Sequence, residues 1–121
     1  MEIRFLAHGS VTVLELVGRL DDLSAPELEL SSMPTTAEPG VPLLLDMTHV
    51  EYVSSGGLRV LVMLTKATRK AGRSLMLCGL NPFVQEVLEI SNLKPLFSIH
   101  SSRQHAVDSC ADGFVAWPQR V

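Results

Sequence analysis

The sequence predicts an α/β fold with the element order β-β-α-β-α-β-α-β-α, that is, a mixed sheet of roughly four to five strands with about four helices. Three observations carry that expectation. Two continuous apolar runs, Pro42 to Met47 and Ser74 to Leu80, have the pattern of strands covered on both faces. From Gly57 to Ala71 apolar residues dominate, while Arg59, Lys66, Arg69, Lys70 and Arg73 recur so as to leave one basic, solvated stripe on a helix. Hydrophobic residues make up 46% of the chain and aromatic residues only 5%, so the core is built from aliphatic side chains, which suits helices packed on a sheet.

The elements follow in order. Ile3 to Ala7 and Val11 to Val17 flank His8-Gly9-Ser10, and the second run places Val11, Val13, Leu14 and Leu16 among polar neighbours, so the pair reads as an antiparallel hairpin. Gly18-Arg-Leu-Asp-Asp22 ends that strand. Ser24 caps a short helix, with Pro26 in its first turn and Glu27 three residues after the cap. The turn formers of Ser31 to Gly40 predict a loop. Pro42 to Met47 is the expected centre of the sheet, and Gly72 stops the basic helix, whose cationic last turn complements the dipole. Asn81-Pro82 opens a helix with Phe83, Val84, Val87 and Leu88 as its buried face. Leu96 to Ile99 is a last short strand, and Ser101-Ser-Arg-Gln104 resembles a capping box for a helix through Cys110 that Gly113 ends. The tail from Phe114 carries the only tryptophan, Trp117; it docks on the domain or on a partner, and a weak homodimer through this apolar region stays open.

At 121 residues the chain fits a single domain, 1–121. Its formal charge of −3 supplies no field for nucleic acid or an anionic membrane. No apolar run approaches the roughly 18 residues of a membrane span, and the start lacks a signal pattern, so a cytoplasmic protein is expected. Cys78 and Cys110 lack metal-site spacing and read as buried, reduced thiols, and His8, His49, His100 and His105 form no helical metal-binding pair. No metal and no cofactor are expected.

The segment between the central strand and the basic helix is chemically distinctive. An apolar run ending in Asp46 leads through a short loop to Ser54, Ser55, Gly56 and Gly57. The first turn of a helix offers unpaired N–H groups and the positive end of the dipole, so a phosphate on Ser54 or Ser55 is locally stabilised. Plain N-capping by serine accounts for the same residues. The glycines leave room for a partner to approach the serines, or merely permit the turn, and these readings are compatible.

Together these pieces resemble the STAS domain family. The resemblance rests on Gly18-Arg-Leu-Asp21 after the second strand, Leu45-Asp46 at the end of the third, and Val53-Ser-Ser-Gly-Gly-Leu-Arg-Val60 opening the second helix, with Cys78 to Leu88 and Ser91-Asn-Leu also similar. It implies a STAS-type fold and a stand-alone anti-sigma factor antagonist. Such a protein binds an anti-sigma factor with serine kinase activity and is switched off when that kinase phosphorylates a serine at the start of the second helix. The resemblance places the phosphoacceptor at Ser55, with Asp21, Asp46, Ser54, Gly56 and Gly57 around it; Ser54 stands where the best-known members carry Asp. Asp21, Asp22, Asp46 and Glu51 are expected on loops at one end of the sheet, where added phosphate deepens an acidic surface.

Other classes fit less well. A hydrolase nucleophile needs GxSxG and a longer chain, a P-loop needs GxxxxGK[ST], and neither motif occurs, so no enzyme and no catalytic residue are expected; His49 reads as an idle loop histidine. The alternative that remains is a non-switching STAS interaction subunit of a transporter or signalling complex.

Overall fold

Alternation at the start of the chain sets up a hairpin, and the structure, a computed structural model describing residues 1–36 and 41–110, forms it from β1 (Glu2–His8) and β2 (Val11–Leu20) around Gly9 at φ 65°. Crossovers through α1 (Ala25–Thr36), α2 (Ser55–Lys70) and α3 (Pro82–Ile90) add β3 (Leu43–Val53), β4 (Leu75–Cys78) and β5 (Ser98–His100), and α4 (Arg103–Asp108) follows. Strand order is β1-β2-β3-β4-β5, with only the hairpin pair antiparallel. This is the predicted element order, and β3 is central.

The run Leu43 to Met47 is buried throughout because its two faces meet different partners. Leu43, Leu45 and Met47 join Leu14, Leu16, Leu75 and Leu77 beneath Leu28, Leu61 and Leu88 of the first three helices. Leu44 joins Val11, Val13, Met76 and Cys78 beneath Ala106 and Cys110. Alternation on a strand thus feeds both cores. Both cysteines are buried thiols; burial, then the nearby Asp46 charge, push the Cys78 thiol up to about 12.

Several boundaries differ from the sequence reading. β2 passes through Gly18, which takes φ 123° beside register shifts in which β3 carries the extra residue, so this glycine does not end the strand. β3 continues six residues past Met47 to Val53, a stretch in which Val50 and Val53 are buried while Thr48, His49 and Glu51 are exposed; His49 is thus on a strand and not a loop. α1 extends to Thr36 over part of the expected loop, with the buried Ser32 hydroxyl donating to Leu28 O at 2.7 Å. Arg73 leaves the solvated stripe: it is buried, and its Nε donates to the Val41 carbonyl. Gly72 does stop α2, at φ 75°, with Arg73 N–H returning to Thr68 O in a Schellman arrangement. In α3 only Val84 and Leu88 are buried. Lys94–Leu96 is a 3-10 turn, so β5 starts at Ser98. Ser102, not Ser101, caps α4 by accepting His105 N–H at 3.1 Å, while Gln104 bonds to Asp108 and the helix ends before Cys110. Gly113 and Trp117 lie outside the described residues.

α4 is fastened by charge. Asp46 pairs across the sheet with Glu15 of β2 and Cys78 of β4. The Arg103 guanidinium donates to Asp46 Oδ2 at 2.7 and 2.9 Å and to Glu15 Oε2 at 2.6 Å. Thr48 gives Asp46 Oδ1 its backbone N–H at 3.1 Å and its hydroxyl at 2.6 Å. Burial alone raises the Asp46 pKa, but the Thr48 and Arg103 bonds outweigh it and hold the carboxyl below its usual range. A carboxylate depressed on folding stabilises the fold above its unfolded pKa, and that contribution is lost as acid carries the pH through the folded value. Asp46→Asn is therefore expected to cost about 2 kcal/mol at pH 7. In urea unfolding the gap to wild type should narrow as the pH falls below about 4, and a gap constant down to pH 3 contradicts this account.

Candidate functional site

β2 and β3 stay paired to their C-terminal ends, where Leu20 lies opposite Val53, so whatever follows each strand is brought together. Ser54 N–H donates to the Leu20 carbonyl at 2.9 Å. With extended backbone (φ −92°, ψ 178°), Ser54 is the N-cap of α2: its Oγ accepts Gly57 N–H at 3.2 Å and its carbonyl accepts Leu58 N–H at 2.8 Å. Ser55 is the first helical residue and is exposed. Among the described residues its hydroxyl takes no hydrogen-bond partner. Capping, which local reasoning leaves open to either serine, falls to Ser54.

Gly56 and Gly57 are buried, and neither has a positive φ. Close approach within the domain explains them. A Cβ on Gly57 would stand 2.4 Å from the Leu20 carbonyl oxygen, and one on Gly56 would stand 1.7 Å from an Asp22 carboxylate oxygen. The room they make is filled by β2 and the turn after it, which corrects the expectation that they clear a path for a partner.

That turn is built by Asp21. Its Oδ1 accepts the N–H groups of Ser24 at 3.1 Å and Leu23 at 3.0 Å, and Ser24, directly before α1, turns its hydroxyl back to donate to Arg19 O at 2.7 Å. The Ser24 N–H bond is the main cause that holds the Asp21 carboxyl below its usual range. Asp22 lies against Gly56, and Leu23 projects with 92% of its surface exposed. Arg19, Asp21, Glu27 and Glu51 share a hollow beside this turn, and Asp22, Glu29, Gly56 and Arg59 line a groove between α1 and α2. The site is an acidic rim around an exposed hydroxyl at the positive end of a helix.

Asp46 is not part of this rim. It sits mid-strand in β3, on the order of 25 Å from Ser54 at ~3.3 Å per residue, facing α4 through Arg103. The structure therefore gathers Asp21, Ser54, Ser55, Gly56 and Gly57, and sends Asp46 elsewhere. It adds residues that sequence reasoning passed over. Arg19 stacks its guanidinium 4.3 Å from the Tyr52 ring centre, and Tyr52 stacks on Phe83 at 5.8 Å and 17°. Phe83, expected in the core, is 45% exposed. The pairing of Arg19 with Tyr52 is set by parallel register, which no local pattern encodes. Among the described residues no three His, Cys, Asp or Glu side chains are gathered as a metal site, and no helix is long and apolar enough to cross a membrane.

Comparison with known proteins gives the same picture. A STAS domain family model matches residues 2–106. A Bordetella bronchiseptica protein that carries the name anti-sigma factor antagonist BtrV is 34% identical over 91 residues, covering 75% of this chain and 78% of its own. The anti-sigma-B factor antagonist of Bacillus subtilis is 32% identical over 94 residues, covering 78% of this chain and 85% of its own. The solved structure of a STAS domain protein from Planctomyces limnophilus superposes with a TM-score of 0.82 at 22% identity, over 90% of this chain and 97% of that one.

The geometry separates the two serines experimentally. Ser54→Ala removes the cap and is expected to cost about 1 kcal/mol, whereas Ser55→Ala, which deletes an exposed hydroxyl, should stay within about 0.5 kcal/mol of wild type. Gly57→Ala, driven against backbone, should be the most destabilising of the three. Chemical denaturation of the variants checks that order.

Proposed function

The chain belongs to the STAS domain family, and on that premise we propose that it is an anti-sigma factor antagonist whose partner is an anti-sigma factor with serine kinase activity. The relatives that share its family are named for that regulatory role and not for catalysis. The observation that carries the proposal is the division of labour at the start of α2: Ser54 supplies the cap, so Ser55 offers a free, exposed hydroxyl.

In this reading the unmodified face binds the kinase. The γ-phosphoryl group passes from ATP to Ser55 Oγ, the hydroxyl proton goes to the kinase's base, and ADP leaves. The product carries roughly −1.5 to −2 additional charges and three acceptor oxygens. Because the helix N-terminus tolerates an anion, the domain keeps its fold. The new charge joins Asp21, Asp22 and Glu51, and a surface complementary to the unmodified rim is then opposed by repulsion and desolvation. Binding is lost through a local charge event, without a refolding step. Leu23 and the Tyr52 and Phe83 rings supply apolar contact area at the same rim.

Incubation with the cognate kinase and ATP, followed by intact mass measurement, tests this. Wild type and Ser54→Ala should gain one phosphate and Ser55→Ala none, and the phosphorylated protein should no longer co-elute with the kinase. An unmodified protein that still binds a partner lacking kinase activity would identify it as a non-switching subunit instead.

A further inference from the structure

We propose that Arg59 is the internal counter-ion of a phosphate on Ser55, holding it on the α1–α2 side of the site and setting its charge state. This rests on the reading of Ser55 as phosphoacceptor. The two residues are four positions apart in α2, the spacing at which helical side chains are neighbours. Arg59 lines the groove between α1 and α2 beside Gly56, is exposed, and among the described residues makes no ion pair. An arginine in that position has both the reach and the planar fork to donate two hydrogen bonds to one phosphate.

The other cations at hand are engaged or distant. Arg19 lies 3.7 Å from the Asp21 carboxylate and is stacked on Tyr52. Lys66, Arg69 and Lys70 follow two or more turns beyond Arg59 on the same helix. The groups facing the phosphate from the neighbouring elements are otherwise acidic: Asp22 against Gly56, Glu29 across the groove on α1, and Asp21 and Glu51 behind the turn. Among the described residues, a phosphate arriving here meets one available guanidinium in an acidic setting. Arg59 favours the dianion and lowers the second phosphate pKa, while Asp22 opposes it.

The test needs no kinase. Phosphoserine is placed at position 55 during translation, and the phosphate is titrated by 31P NMR in proteins shown to be folded by circular dichroism. In Arg59→Gln the second pKa should rise by about half a unit, a roughly threefold change in acidity. Lys66→Gln, which removes the same charge from the same helix, should titrate like wild type; Arg59→Lys should recover most of the shift, and Asp22→Asn should move the value down. Coincident titrations of Arg59→Gln and Lys66→Gln overturn the proposal whatever a kinase does to Ser55. Conversely, failure of the cognate kinase to modify Ser55 sinks the switch and leaves this pairing to stand or fall on its own titration.

Discussion

The carbonyl of Leu20 is the point on which the functional end of this domain depends. It is the last backbone acceptor of β2, it receives the Ser54 N–H, and Gly57 packs against it without a side chain between. Those contacts hold the first turn of α2 on the end of the sheet. Once Ser54 is committed to that seat and to the Gly57 N–H, Ser55 is carried outward by the helix that begins there. Exposure of one hydroxyl is thus a consequence of how two parallel strands finish together.

Charge is used in two opposite ways along β3 and just beyond it. Near its middle, Asp46 is buried and fully partnered by Arg103 and Thr48, and Glu15 completes the cluster. There, low dielectric makes each bond matter and each missing partner costly. Beyond Val53 the carboxylates of Asp21, Asp22 and Glu51 stand around an exposed serine, where solvent and salt screen them. The first arrangement ties α4 to the sheet; the second is suited to being rebalanced by a single added charge. Separating them along one long strand lets the surface charge change without disturbing the ion cluster in the interior.

Much of this was legible locally. The continuous apolar run of β3 and the amphipathic, basic α2 identified themselves by period, and Asn81 was readable as a cap, its Oδ1 accepting Val84 N–H at 2.7 Å. The misreadings share a cause. Thr48 to Val53 look like loop because only one face is buried, Gly18 looks like a strand end because an irregular strand position and a strand end use the same residue, and Phe83 looks like core because an aromatic at helical spacing does not reveal that Tyr52 waits on the surface. Asp46 groups with the other carboxylates only if its strand stops there, and β3 runs on to Val53. Its partner is 57 residues away in the chain, beyond any local signal.

The sequence by itself determined the order of elements, the covered central strand, and a pair of serines followed by glycines at a helix start, because those depend on periodicity and on the chemistry of adjacent residues. Only the tertiary structure decided which serine caps and which is presented, why the glycines are needed, and which carboxylates share the site. Those outcomes follow from the register of β2 against β3 and from the return of α4 across the opposite face, contacts between residues far apart in sequence that the free energy of the whole fold selects.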